Sequence, residues 1–173
     1  MPASSTLQRV TRIGAALSAA LAFLPPLVTR LVMGQSFYLT GRGKLANFAR
    51  TVDFFTGLGI PMPELNAAFV SRLEFYGGML LLVGLGTRLV SAGLASTMVV
   101  ALATADKESF LAALRMSGDS GLTDVVPFVY LLFLGGLVIA GPGSLSLDAL
   151  LARGLRRLGD RSESVAAPQA ARA

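Results

Sequence analysis

The chain alternates long apolar stretches with short polar ones. After a polar start holding Arg9 and Arg12, residues 13–28 are apolar with Pro25 and Pro26 inside them, and the apolar character continues through "TRLVMGQSFYL". A signal peptide shares the basic start and short apolar core, but no small-x-small site followed by a polar mature start closes this run. The pattern instead predicts a first span from the mid-twenties to about Lys44, preceded by an extension over 1–24 that joins through a proline kink. Residues 46–65 are too charged to span. Phe48, Val52 and Phe55 recur there at intervals of 4 and 3, which predicts a short amphipathic helix at the interface, ended by "GLGIPMP". A second span is expected over 67–86, then a tight turn at Thr87-Arg88, a third span over 89–105, a polar loop and a fourth apolar run over 125–140 stopped by "GPG". The tail over 152–173 begins as a basic amphipathic segment and ends with a disordered composition.

Four runs of about 16 to 20 residues come close to the hydrocarbon thickness of a bilayer. The expected fold is an all-α membrane protein: a four-helix transmembrane bundle over 25–151 with a short interfacial helix between its first two spans. A soluble helical hairpin with two buried amphipathic helices is the alternative, but a chain of 173 residues has too little protein to cover four apolar runs. Composition agrees, since 53% of the residues are hydrophobic and 14% charged, against about a quarter charged in soluble domains.

The chain has no cysteine and no histidine. That excludes a disulfide, a thiol nucleophile, a cysteine-held iron–sulfur cluster and the usual haem, zinc and copper ligands. Carboxylates, tyrosines, lysine and arginine remain as the available chemistry, so a redox role needs a borrowed cofactor. No glycine-rich phosphate loop, catalytic triad or metal motif is present. The formal charge of +5 sits at the edges of apolar segments and in the tail, which fits a membrane surface better than nucleic acid. The arginines of the N-terminus, Arg88 and the tail cluster Arg153, Arg156, Arg157 and Arg161 favour an inner-membrane orientation with both termini in the cytoplasm.

Within "RLVMGQSFYLTGRGKL", Arg30, Gly34, Phe37, Gly41 and Lys44 are spaced 4, 3, 4, 3 and share one helix face. This stripe, followed by "GIPMP", "EFYGGMLLLVGLGTRLVSAGL" and "GPGSLSLDALL", resembles the DoxX family of small bacterial membrane proteins over roughly residues 28–151. Each element is weak alone; their order and spacing carry the likeness. The resemblance implies the four-span fold more firmly than a reaction. Some relatives are described as a subunit of a thiosulfate:quinone oxidoreductase and others as a membrane partner in an oxidoreductase complex of oxidative-stress defence. Asp124 stands about where the family often carries an acidic residue.

Arg30 and Lys44 are 14 residues apart, as are Glu74 and Arg88, about 21 Å along a helix. In antiparallel neighbours Lys44 therefore lies level with Glu74, and Arg30 with Arg88. Charge in lipid must pair or snorkel, so Lys44 and Glu74 form either an ion pair or two separate contacts with interfacial water. Asp124 either joins this intramembrane polar set of Arg30, Lys44 and Glu74 or serves only the dipole of its own helix. Gly34, Gly41, Gly77, Gly78, Gly135 and Gly136 are expected to pack helices closely. The sharper alternative is that they leave room for a flat quinone ring walled by Phe37, Tyr38, Phe75 and Tyr76, residues equally suited to an interfacial belt.

Three functions remain open at this point. The leading one is a non-catalytic inner-membrane subunit that docks a soluble or membrane oxidoreductase partner, a partner implied by the resemblance. The second is a quinone-linked oxidoreductase subunit in which Lys44, Glu74 and Asp124 exchange protons. The third is a small transporter with the same residues along its path.

Overall fold

The computed structural model describes residues 3–157 apart from residue 120. All regular structure among them is helical: α1 (Ala3–Leu21), α2 (Leu24–Ala46), α3 (Phe48–Gly57), α4 (Pro63–Val83), α5 (Thr87–Ala103), α6 (Lys107–Leu114) and α7 (Val126–Ala140). A 3-10 turn at Leu122–Asp124 precedes α7, and a further helix covers 147–157. Pro25 and Pro26 sit in the first turn of α2, where a missing N–H costs nothing, and the chain breaks from α1 just before them.

Four helices make the body. α2 packs along α4, α5 along α7, and the two pairs close on each other through α4 against α5 and α2 against α7. Met33, Phe37, Leu81, Leu94, Leu134 and Leu137 meet in the centre. α3 leans on α4, and α6 packs near the start of α7, with Phe110 and Phe128 5.8 Å apart between ring centres. The outward faces are apolar too: Leu89 is 83% exposed and Ile139 81%, and Leu31, Leu39 and Leu132 also face outward.

Several expectations are corrected. The turn between the second and third apolar runs lies at Gly84–Gly86, not at Thr87-Arg88, because Gly84 and Gly86 take the left-handed backbone at φ 73° and 60° that glycine alone adopts freely. The loop expected over 106–124 contains α6, whose Phe110 and Ala113 pack inward despite the charged Lys107 and Glu108 in its first turn. The apolar runs do not all reach 18 residues as helices: α5 has 17 and α7 has 15. Pro127 and the extended backbone of Val125 set the start of α7, and Gly141 at φ 82° ends it. Among the described residues one stretch, Thr11–Ala46, is long and apolar enough to cross a membrane by itself, while α5 and α6 reach that length only together, across an 82° bend.

The closest packing is between α2 and α4. A Cβ on Gly41 would collide with the backbone of Glu74 and Phe75, and one on Gly78 with the backbone of Tyr38 and Gly34. Gly34 lies against Gly78 and Leu82, and Gly77 faces Val90 and Leu94 of α5. Gly135 and Gly136 do not pack in this way, since a Cβ on either meets nothing within 4 Å. They lie on the outer part of α7, where no helix approaches close enough to need them small.

Gly41→Ala and Gly78→Ala are each expected to lose about 1–3 kcal/mol of stability, the usual cost of forcing atoms into a packed contact. Gly43→Ala and Gly135→Ala, which meet open space, are expected to lose nothing or to gain slightly from better helix propensity. Thermal unfolding of the purified protein in mild detergent reads the difference.

Candidate functional site

The α2–α4 contact fixes the site. Gly41 rests on the backbone of Glu74 and Phe75, so Lys44, three residues further on the same face of α2, arrives at the Glu74 side chain. Lys44 Nζ donates to Glu74 Oε1 at 2.6 Å, the one ion pair among the described residues. The two ends of the pair differ in burial: Glu74 is 2% exposed and Lys44 32%. The partly open ammonium keeps contact with its surroundings, while the carboxylate depends on what the protein offers. Its second oxygen, Oε2, is buried and has no hydrogen-bond partner among the described residues.

Beside the pair lies a cavity of about 230 Å³. Lys44 and Glu74 line it together with Phe54 and Phe55 of α3, Phe69 and Val70 of α4, and Met98, Val100 and Ala101 of α5. Its walls are mostly apolar, with Asn66, Ser96, Thr97 and Thr104 as the other polar side chains. Thr51 anchors the start of α3 to the end of α2 by donating to the carbonyls of Lys44 and Asn47, each at 3.2 Å, and thereby holds the α3 aromatics over the site.

The remaining expected site residues lie elsewhere. Asp124 does not join Lys44 and Glu74: it is exposed, and its Oδ2 accepts the Gly121 N–H at 2.8 Å, closing the 3-10 turn before α7. A short local acceptor satisfies that turn, which leaves the carboxylate no reason to reach inward. Arg30 belongs to the opposite end of the body. Its Nη1 donates to Pro142 O at 2.9 Å and its Nη2 to Leu145 O at 2.7 Å, with the guanidinium pressed against Gly84. The four aromatics expected as quinone walls do not line the cavity either. Phe37 is buried edge-on to Tyr130, with ring centres 5.6 Å apart. Tyr38, Phe75 and Tyr76 form a separate row along the α2–α4 seam, at 5.2 and 5.1 Å, because the residues beside packing glycines face along the seam and not into the space under α3.

Two features escaped the reading of the sequence. The aromatic wall from α3 carries a signal, the spacing of Phe48, Val52 and Phe55, but that spacing says only that a face is apolar and not what it covers. Asp148 is the other: its carboxylate accepts the N–H groups of Gly86 at 2.8 Å and Thr87 at 3.0 Å, capping α5 from 61 residues away. Its own N–H donates to Gly84 O at 3.0 Å. No local pattern announces a cap supplied by so distant a residue.

With this geometry, a stripe on α2 docked on a glutamate-bearing α4 and the Gly-Pro-Gly loop bound to the stripe's arginine, comparison with known proteins is decisive. The DoxX family model matches residues 26–107. The chain belongs to the DoxX family. It is 30% identical over 131 residues to the Bacillus subtilis (strain 168) protein named "Putative oxidoreductase CatD", covering 74% of this chain and 87% of that one. It is 33% identical over 129 residues to the inner membrane protein YqjF of Escherichia coli (strain K12), covering 72% and 90%. A third DoxX-like relative, the inner membrane protein YphA of the same strain, is 28% identical over 126 residues, covering 70% and 86%. No solved structure matches the chain. The membrane assignment of the family accounts for the apolar outer surface of the helices.

The unequal burial of the ion pair makes an asymmetric prediction. Breaking a fully buried pair costs about 3–5 kcal/mol. Lys44→Met, which strands the buried carboxylate, is expected to approach that range, whereas Glu74→Gln, which leaves the partly exposed ammonium, is expected to cost clearly less. The double variant removes both charges and is expected to recover part of the Lys44→Met loss. Thermal unfolding of all four proteins in detergent completes the cycle; simple addition of the two losses would mean that the pair contributes nothing.

Proposed function

We propose that the chain crosses the bacterial inner membrane four times, through α2, α4, α5 and α7, with both termini in the cytoplasm, and that it serves as an accessory subunit docking a redox or stress-response partner. The observation that carries the membrane part is that large apolar residues such as Leu89, Ile139, Leu31 and Leu132 face outward, while Arg30, Glu74, Thr87 and Ser91 are buried between helices beside the apolar core. A soluble protein seldom combines so apolar an outer surface with buried charge. Where α5 and α7 fall short of a bilayer's thickness, a thinned bilayer and the adjoining apolar residues at their ends make up the difference. α3 and α6, both short, then lie at the outer interface, and the 147–157 helix lies at the inner one with Arg153, Arg156 and Arg157 toward anionic headgroups.

The docking part draws on three supports. The chain holds no cysteine or histidine for redox chemistry of its own, a relative carries the name of an oxidoreductase, and the basic inner face offers a charged surface to a partner. A quinone-linked subunit is the second reading, favoured by the cavity beside Lys44 and Glu74, which has the mixed apolar and ionisable lining that a lipid-soluble cofactor requires.

Single cysteines test the topology without background. Placed at Thr56 and Ser117, both exposed at the Lys44 end, they are expected to react with an impermeant thiol reagent on intact spheroplasts. Placed at Ser144, exposed at the Arg30 end, or at Ser162, which lies outside the described residues, they are expected to react only after lysis. The opposite pattern would invert the orientation, and labelling of both sets on one side would end the four-span reading. For the docking reading, affinity purification in mild detergent is expected to bring down an oxidoreductase subunit, and removal of residues 152–173 to weaken that recovery several-fold.

A further inference from the structure

We propose that the cavity between α3, α4 and α5 binds a small phenol-class molecule, one aromatic ring bearing a hydroxyl, whose O–H donates to Glu74 Oε2. The site stands on its own geometry and does not depend on which partner docks at the opposite end. An ionised carboxylate only accepts hydrogen bonds. Lys44 satisfies Oε1 and no group among the described residues satisfies Oε2, although the side chain is 2% exposed. A buried acceptor without a donor is costly, so the position calls for an incoming O–H or N–H.

The rest of the ligand follows from the walls. Phe54, Phe55 and Phe69 supply aromatic surface, and Val100 and Ala101 supply small aliphatic surface. The volume of about 230 Å³ exceeds the roughly 150 Å³ of an apolar cavity that takes benzene and falls short of the roughly 300 Å³ at which drug-sized sites begin. One ring with one or two small substituents fits those limits. A free cation is disfavoured, because Lys44 already neutralises Glu74. A lipid acyl chain would fill the apolar part yet bring no donor, and water would bring a donor yet leave the aromatic walls uncovered.

Fluorine NMR on the full chain in nanodiscs of zwitterionic lipid separates these occupants, with 4-fluorophenol and its methyl ether, 4-fluoroanisole, as probes. A bound resonance distinct from the lipid-partitioned one is expected for the phenol, and binding of the ether is expected to be at least about tenfold weaker, the effect of losing a hydrogen bond to a charged acceptor. Ala101→Phe, which fills the cavity and leaves the ion pair alone, is expected to abolish the bound resonance while the protein keeps a sharp thermal transition. Glu74→Gln is expected to weaken the phenol and leave the ether unchanged. Should that variant not fold, the phenol–ether comparison on the native chain still decides. Equal binding of phenol and ether, no bound resonance for either, or a bound resonance that survives in folded Ala101→Phe would each overturn the proposal.

Discussion

Everything in this fold is set by how closely α2 approaches α4. The two backbones touch at Gly41 against Glu74 and Phe75, and again where Gly34 and Gly78 meet. Between apolar helices in lipid no hydrophobic force selects one pairing over another, so close van der Waals contact and polar pairs must do the selecting. Glycine provides the contact. Once the backbones are locked, a slide of one turn would drive a side chain into a carbonyl, and the register follows. That register carries Lys44 to Glu74 at one end of α2 and Arg30 to Gly84 and the 141–145 loop at the other. The charges in turn make the register unique, because any other alignment would leave Glu74 buried without its ammonium.

What could be read from the sequence follows the same division between repeated and singular features. The stripe Arg30, Gly34, Phe37, Gly41, Lys44 is periodic, and its equal 14-residue separation from the Glu74–Arg88 interval was enough to align two helices and to bring Lys44 to Glu74. Glycines inside that stripe were legible because period and composition agreed. Gly135 and Gly136 had composition without a close helix contact, and a Cβ on either would meet nothing within 4 Å. The aromatics beside the stripe were misplaced for a related reason: adjacency to a glycine says that a residue is near the seam, not which way it faces. The cavity wall was out of reach because α3 contributes Phe54 and Phe55 by folding back on α4, a tertiary event fixed by Thr51 and the chain's path after Asn47. Likewise, the capping of α5 by Asp148 joins residues far apart in sequence, and α6 hides its apolar side within a charged segment.

The two ends of the body use charge differently, and the contrast separates architecture from function. At the Arg30 end most polar groups help to close the chain, although Arg30 Nε and Thr87 Oγ1 are buried there without a partner among the described residues. Arg30 holds two loop carbonyls, Arg88 reaches Ile139 O at 3.3 Å, Ser146 bridges Gly143 and Ala149, and Asp148 caps α5 with both carboxylate oxygens. Gly84 has to be glycine there twice over, for its left-handed backbone and for the guanidinium stacked on it. The set acts as a clasp that joins the start of α2, the α4–α5 turn and the end of α7.

The Lys44 end differs in having a cavity beside its unmet group. The ion pair uses one carboxylate oxygen, the other is buried without a donor, and an apolar cavity lies alongside. Stability alone does not favour that arrangement, since a well-packed apolar pair of similar volume often does as well as a buried ion pair or better. Among the buried groups without a partner, Glu74 alone combines a carboxylate with the lining of this cavity, and that combination is best understood as capacity held for a molecule that the chain does not itself contain. The fixed α2–α4 register makes that capacity useful, because it holds the carboxylate in place before any ligand arrives and so reduces the ordering cost of binding.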